Sequence, residues 1–153
     1  MRIPSLPARE TPRLRVLVVS EDAGFLVAAQ EALRPAGVHV VACMGPAQSP
    51  CDLLDSGSCP LAGHVDAAIV DAPADGVFRH HWFALTASDY AASLARSHPR
   101  LFVMLCGPGD QAWPSTAVTV GHTRSEALHL LRWAAETDGT ERTGTPHYEG
   151  SSR

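Results

Sequence analysis

The sequence of 153 residues contains no lysine, and all 12 of its basic residues are arginine. Its 16 acidic residues give a net charge of -4, with a pI near 6.0. A chain with this balance has no basic excess to neutralise the phosphates of a nucleic-acid backbone. We therefore expect no direct nucleic-acid partner.

Long apolar runs are also missing. No stretch approaches the roughly 18 apolar residues of a membrane span, and the start, MRIPSLPARETPR, has prolines and charges where a signal peptide has an apolar core. The sequence has no GxGxxG, no Walker P-loop and no HExxH motif. We expect a cytoplasmic protein that does not contact a membrane, and nucleotide binding has little support.

The sequence does contain alternating strand and helix patterns over residues 14–136. We interpret 1–13 as a flexible lead-in and 137–153 as a disordered tail. The predicted strands are Leu14–Val19, Val38–Cys43, Ala67–Val70, Leu101–Leu105 and a weaker Ala117–Val120. The predicted helices are Ala23–Arg34, Leu85–Ser97 after a loop holding His80 and His81, and a last helix that begins at the capping box Thr123 and Glu126.

Strands that alternate with helices predict a parallel sheet, because parallel neighbours need crossover connections. Five strands in this order predict an α/β, flavodoxin-like, doubly wound sheet. Ligands of such sheets bind outside the carboxyl ends of the strands. Ser20, Glu21 and Asp22 follow the first strand and Asp71 follows the third. These residues predict an acidic pocket, although polar residues at strand ends also occur simply where a sheet meets solvent.

Three segments, RVLVVSED, AIVD ending at Asp71, and VMLCG, resemble the receiver domains of two-component response regulators. The resemblance covers about 14–136. It implies that an acidic pair holds Mg²⁺ and that Asp71 accepts a phosphoryl group, with Glu21 as the second acid of the pair. It also implies a Ser or Thr at the end of the fourth strand and a Lys at the end of the fifth. In receivers, the Mg²⁺ ion and the Lys side chain balance the negative charge that develops on the oxygens during phosphoryl transfer.

The sequence departs from that pattern at three positions. Ser20 replaces the first acid, although Asp22 beside it offers a carboxylate after a small shift. Cys106 replaces the Ser or Thr, and a thiol is the weaker hydrogen-bond donor. Gly121, followed by His122, replaces the Lys, and a histidine is mostly neutral at pH 7. These changes argue against phosphorylation of Asp71 and indicate a degenerate receiver, or pseudo-receiver.

The connection between the fourth and fifth strands predicts a changed partner surface. Only the 14 residues from Gly107 to Val120 separate Cys106 from Gly121, so the fourth helix is expected to be shortened or absent. We expect no DNA-binding output domain after the last helix. We expect a stand-alone signalling module with a protein partner, and not an enzyme; the oligomeric state stays open. A small-ligand binder using the same crevice is a further alternative.

The cysteines support a different interpretation, a thiol- or metal-responsive sensor. Cys43, Cys51 and Cys59 are spaced eight residues apart, with His64 beyond them. Three thiols and an imidazole suit Zn²⁺ or a redox-active disulfide, but no two ligands are two to four residues apart. Cys43 is expected at the opposite end of the sheet from His64, which favours a Cys51–Cys59 pair over the full set. The segment CDLLDSGSCPL also resembles small actinobacterial receiver-like proteins. Free thiols are the expected state in a reducing compartment.

Overall fold

The computed structural model describes residues 13–47, 51–80, 83–107 and 118–137. The predicted tail lies outside these ranges except for residue 137, and of the predicted lead-in only Arg13 is described. The connection predicted to hold a shortened fourth helix also lies mostly outside them. The domain limits of 14 and 136 therefore stay predictions.

A five-stranded parallel sheet forms the centre of the protein, as predicted. Its strand order is β2-β1-β3-β6-β7, the order of flavodoxin-like sheets. Val19 at the end of β1 lies beside Cys43 on one neighbour and Val70 on the other, and Asp71 lies beside Cys106. The strands are β1 (Arg15–Val19), β2 (His39–Cys43), β3 (Ala67–Asp71), β6 (Phe102–Cys106) and β7 (Val118–His122).

Helices cover both faces of the sheet, which is why the inner strands are apolar at consecutive positions. On one face lie α1 (Ala23–Leu33) and the last helix, α4 (124–137). On the other face lie α2 (Asp52–Ser56) and α3 (Ala87–Ser97). The helices α1, α3 and α4 each turn an apolar stripe toward the sheet, whose members are buried or partly buried: Phe25, Ala29, Leu33, Tyr90, Ala91, Leu94, Ala127, Leu128, Leu131 and Ala135.

Local hydrogen bonds fix where the helices begin. Asp22 caps α1, because its Oδ1 accepts from the amides of Gly24 at 2.9 Å and Phe25 at 3.3 Å. The predicted capping box begins α4: the Thr123 amide donates to Glu126 Oε1 at 2.9 Å, and the Glu126 amide donates to Thr123 Oγ1 at 3.0 Å. No helix within the described ranges has the length and apolar character needed to span a membrane.

A β-hairpin between β3 and α3 was not predicted. Its antiparallel strands are β4 (Val77–His80) and β5 (Phe83–Thr86), so the predicted loop is partly strand. Leu85 lies in β5, and the helix predicted from Leu85 begins instead at Ala87, after Thr86 accepts a hydrogen bond from the Asp89 amide. Phe78 of β4 is fully buried with its ring centroid 4.9 Å from that of Tyr90. This contact holds the hairpin against α3.

Candidate functional site

Asp71 is a buried carboxylate at the carboxyl end of β3, with only 2% of its surface exposed. Ser20, at the end of the neighbouring strand β1, donates its hydroxyl to Asp71 Oδ2 at 2.7 Å and accepts from the Asp22 amide at 3.0 Å. Ser20 is itself completely buried. Ser20, which replaces the first acid of the receiver pattern, is therefore a neutral hydrogen-bond donor that stabilises the Asp71 carboxylate.

Arg124, the first residue of α4, supplies the positive charge of this pocket. Its Nε donates to Asp71 Oδ1 at 3.0 Å and its Nη2 donates to Asp71 Oδ2 at 2.8 Å. Two parallel N–H to oxygen bonds of this kind are the strongest geometry for an arginine and a carboxylate. With the Ser20 hydroxyl, they place donors on both oxygens of Asp71.

Two further contacts hold the Arg124 guanidinium in place. Its Nη1 donates to Asp22 Oδ2 at 3.1 Å, and its central carbon lies 4.5 Å from the centroid of the Phe25 ring. Asp22 and Phe25 both belong to the start of α1, so Arg124 connects β3, α1 and α4. The stacking on Phe25 adds a cation–π attraction to the ion pairs. We call Ser20, Asp22, Asp71 and Arg124 the acidic pocket.

The other predicted pocket residues lie around this network. Glu21 extends toward Gly45, where its Cγ is 3.6 Å from the position that a Cβ on that glycine would take. Cys106 is paired with Asp71 across β3 and β6 and is 1% exposed. Gly107 adopts a φ of +121°, and a Cβ there would lie 2.9 Å from the Ala72 side chain, so the chain turns closely past the residue that follows Asp71. For His122, paired with Cys106 at the end of β7, only the backbone is described.

The charges of the acidic pocket shift the pKa values of its members in the directions expected for ion pairs. The amide of Phe25 and the guanidinium of Arg124 lower the pKa of Asp22 below its ordinary value of 3.8. The hydrogen bonds from Asp71 raise the pKa of Arg124. Burial, together with the negative charge of Asp71, raises the pKa of Cys106 to about 12. Cys106 is therefore held as a neutral thiol.

The receiver pattern implies Mg²⁺ on Glu21 and Asp71, and this arrangement of residues does not fit that ion. Mg²⁺ needs about six oxygen ligands in a near-octahedral shell. Both oxygens of Asp71 already accept from Arg124 or Ser20, and a cation on them would lie against the guanidinium charge. Among the described residues, no group of three or more His, Cys, Asp or Glu side chains is arranged to hold a metal.

The residues of the alternative site, Cys43, Cys51, Cys59 and His64, do not form one group. Cys43, Cys51 and Cys59 are partly buried against the same apolar cluster, whereas His64 precedes β3 at the amino end. The His64 carbonyl accepts from Arg15, which begins β1, at 2.9 Å. The prediction that Cys43 and His64 lie at opposite ends of the sheet is confirmed. All four cysteines are free thiols.

Sequence reasoning missed Arg124, which completes the pocket. The resemblance to receivers predicts a cation at the end of the fifth strand, where this chain, which has no lysine, has Gly121 and His122. A signal was nevertheless present at the start of α4. A positive side chain in the first turn of a helix opposes the helix dipole, so an arginine next to a capping threonine suggests a partner elsewhere in the fold.

No protein-family model matches the sequence, and no curated protein matches it. Solved structures do match by fold. The chain is similar to a CheY-like receiver domain protein from Methanospirillum hungatei JF-1, with a TM-score of 0.55 at 11% identity over 85% of this chain and 99% of that chain. A receiver domain protein from Bacillus halodurans C-125 has a TM-score of 0.57 at 15% identity, over 82% and 97%. The response regulator TrrA from Thermotoga maritima, in complex with Mg²⁺ and BeF, has a TM-score of 0.53 at 12% identity, over 80% and 98%. The chain therefore has the fold of response regulator receiver domains.

Proposed function

We propose that this protein is a receiver-like signalling module that binds a protein partner without phosphorylation of Asp71, and that it is not an enzyme. The observation that carries the proposal is the two-point contact of Arg124 with Asp71. The guanidinium permanently supplies the positive charge that a metal ion and the Lys of the receiver pattern would otherwise bring to Asp71. The fold supports a signalling role in general, and the pocket supports this particular form of it.

The chemistry of the pocket opposes phosphoryl transfer at Asp71. An attacking carboxylate oxygen needs a free lone pair directed at phosphorus, with cations placed around the transferring oxygens. Here Oδ2 accepts two hydrogen bonds and Oδ1 accepts one. Three of the roughly four lone-pair sites of the carboxylate are therefore occupied, and attack on phosphorus would weaken the ion pair between Asp71 and Arg124.

The position of Arg124 also links the pocket to the expected partner surface. It is the first residue of α4, and in receivers the last helix contributes to the surface that partners contact. By holding that helix to Asp71 and Asp22, the ion pairs favour a single arrangement of this surface. A constitutive partner interaction follows from this arrangement.

The proposal is tested by incubating the purified protein with acetyl phosphate and Mg²⁺ and measuring its intact mass. We expect no phosphoryl adduct on the wild type and no rise in the melting temperature with Mg²⁺. Asp71→Asn is the control that identifies the acceptor, because the amide keeps the shape and removes the nucleophile. A phosphoryl adduct that is present on the wild type and absent from Asp71→Asn would overturn the proposal.

A thiol-responsive sensor is the second candidate function. The observation in its favour is that Cys43, Cys51 and Cys59 are all partly buried against one apolar cluster, which contains Tyr90. The zinc form of this candidate has less support, because the described residues form no metal-binding group of three. The form of this candidate that keeps its support is a redox sensor, in which two of the thiols form a disulfide.

A further inference from the structure

One row of residues across the sheet shows where the helices that cover it stop. Val16 on β1, Ala67 on β3 and Phe102 on β6 are paired in register, so their side chains lie side by side on the face that α1 and α4 cover. Val16 and Ala67 are buried there, but 46% of Phe102 is exposed. The remaining residues of β6 are all buried. The two helices therefore leave the start of β6 uncovered.

α4 also has exposed apolar side chains, Leu130 and Trp133, and 60% of Trp133 is exposed. The side of α4 that faces α1 is that of Arg124, whose guanidinium carbon lies 4.5 Å from the centroid of the Phe25 ring. At about 100° per residue, Leu130 and Trp133 lie roughly 120° and 180° around the helix from Arg124. Both are therefore on the flank of α4 that points away from α1.

Phe102 lies on this same side of α4. Helix α1 joins β1 to β2 at one end of the strand order, whereas β6 lies beyond β3 in the other direction. α4 begins beside Asp71 at the carboxyl edge, and its residues 124–137 span about 20 Å, more than the roughly 17 Å of a five-residue strand. The second half of α4 therefore lies toward the amino edge, where Phe102 begins β6. We call Phe102, Leu130 and Trp133 the uncovered surface.

Residues 1–12 join the described part of the chain close to the uncovered surface. The described chain begins at Arg13, and Leu14 packs against the same cluster as Ala135 of α4. Only β3 separates β1 from β6, so the starts of these two strands are about 10 Å apart. The segment 6–12 can extend over about 23 Å. Its length is therefore sufficient to bring Leu6 to Phe102 and to the second half of α4.

The sequence of this segment matches the chemistry of an aromatic surface. In IPSLP, Ile3 and Leu6 are three positions apart, and so are Pro4 and Pro7. Prolines favour the polyproline II conformation, in which about three residues complete a turn, so Ile3 and Leu6 project from one side of it. Segments with this proline spacing bind grooves lined by aromatic side chains, because little entropy is lost in ordering them. Residues 138–153 contain no Ile, Leu, Val, Met or Phe and lack this match.

We propose that residues 3–7 bind the uncovered surface of their own chain in an extended conformation, with Ile3 and Leu6 against Phe102 and Trp133. Burial of apolar surface on both sides stabilises the contact. The inference goes beyond the proposed function, and it differs from the sequence-based prediction of a flexible lead-in. In receivers the last helix contributes to the surface that partners contact. Access of a partner to this flank of α4 then depends on displacement of the segment, and not on phosphorylation of Asp71.

The test replaces Leu6 of the full chain with the photoreactive residue benzoylphenylalanine. After irradiation, trypsin cuts after the arginines and places position 6 on fragment 3–9 and the three residues of the uncovered surface on fragments 101–124, 125–132 and 133–142. We expect a monomeric intact mass and a covalent link from fragment 3–9 to one of these three. Val27 is the internal control, because it is as exposed as Phe102 but lies on α1, in fragment 16–79.

Three outcomes of the irradiation would overturn the inference. They are the absence of a link, a link to fragment 16–79 or 143–153 in place of the expected three, and a dimeric mass, which would assign the surface to a second copy of the chain.

A set of serine variants tests the same contact without the photoreactive residue. Leu6→Ser should lower the melting temperature by about 3 °C, the shift expected when one partly buried leucine loses its contacts. This loss should disappear in a Trp133→Ser background and persist in a Val27→Ser background, which removes an equally exposed apolar side chain from α1. No loss in the wild type, or an equal loss in the Trp133→Ser background, would contradict the inference.

Discussion

The acidic pocket at the carboxyl edge of the sheet and the three partly exposed cysteines, Cys43, Cys51 and Cys59, differ in how far their polar groups are satisfied. Each charged side chain of the acidic pocket contacts an opposite charge within it, and Asp71 and Asp22 are both joined to Arg124. Cys43, Cys51 and Cys59 are partly exposed, and the Cys43 sulfur accepts a long hydrogen bond of 3.5 Å from the Gly45 amide. A saturated buried network favours one fixed structure. We expect chemical reactivity where side chains lack a full set of hydrogen-bond or ion-pair partners. The acidic pocket, although it resembles a catalytic centre, is therefore expected to be less reactive than the cysteines.

The largest effect expected from this difference is in cysteine alkylation. Cys106 borders the acidic pocket, and burial raises its pKa to about 12, so at pH 8 its thiolate fraction is roughly a thousandfold below that of an ordinary thiol. We expect iodoacetamide to label Cys43, Cys51 and Cys59 well before Cys106, as read by peptide mass spectrometry over time. Raising the pH should accelerate labelling of Cys106, because the thiolate forms as the pH approaches its pKa.

Unfolding the protein in urea provides the control for this prediction. All four cysteines should then react at similar rates, since the effects of burial and of Asp71 are lost. Cys106 is 1% exposed, which indicates a closed environment beside the acidic pocket. A rate of labelling for Cys106 in the folded protein that equals the rate for Cys43 would contradict this.

The next largest effect concerns Arg124 and the stability of the fold. Arg124→Ala leaves Asp71 as a buried charge with Ser20 as its remaining partner, a change that costs about 3 to 5 kcal/mol at fully buried sites. Because 43% of the Arg124 side chain is exposed, solvent screening reduces this to about 2 kcal/mol. The free energy of unfolding from urea titrations measures the loss.

A double-mutant cycle with Asp71→Asn isolates the interaction itself. If Arg124 acts through Asp71, the loss caused by Arg124→Ala should be much smaller in the Asp71→Asn background. Arg124→Lys keeps the charge without the two-point geometry and should recover only part of the stability. Equal losses in both backgrounds would show that Arg124 stabilises the protein through Phe25 or Asp22 and not through Asp71.

The sequence was sufficient for the sheet and for three of the four residues of the acidic pocket, and sequence patterns within single strands and helices explain why. The strands that lead to Ser20 and Asp71 are apolar at consecutive positions, as is typical of parallel strands covered on both faces. The carboxyl ends of parallel strands lie at the same edge of the sheet, so the proximity of Ser20 and Asp71 was predictable. The Thr123 and Glu126 spacing also specifies a helix start without reference to the rest of the fold. In each case neighbouring residues determine the structure.

Arg124 and the hairpin were not predictable in the same way, because long-range contacts define them. The Arg124 side chain reaches Asp71, which is 53 residues away in the sequence, and only the packing of α4 beside α1 brings them together. The strands of the hairpin are short, and the sequence between them has no Asn-Gly or Asp-Gly turn. The burial of Phe78 against Tyr90 then stabilises an arrangement that local propensity leaves undecided.

A smaller effect is expected from Asp22 at acid pH. The Phe25 amide and Arg124 lower its pKa below 3.8 in the folded protein, so its stabilising contribution is complete above that value and is lost as the pH falls through the folded-state pKa. We expect Asp22→Asn, which keeps a capping oxygen, to lose less stability than the wild type between pH 4 and pH 2. Urea titrations over that pH range measure the difference. Identical pH profiles would contradict a charged contact between Asp22 and Arg124.

The smallest effect is expected from a second pair of arginine and aspartate, Arg79 and Asp75. Comparing it with the pair of Arg124 and Asp71 separates the effect of burial on stability from the effect of ion-pair distance. Arg79 Nη2 lies 3.0 Å from Asp75 Oδ2, close to the 2.8 Å of the Arg124 and Asp71 pair, but the two side chains are 62% and 54% exposed. Exposed pairs of this kind contribute little, because water and salt screen them and ordering two side chains costs entropy. We expect Arg79→Ala to leave the free energy of unfolding unchanged within error. A loss as large as that of Arg124→Ala would mean that ion-pair distance, and not the burial of Asp71, determines the stability of the acidic pocket.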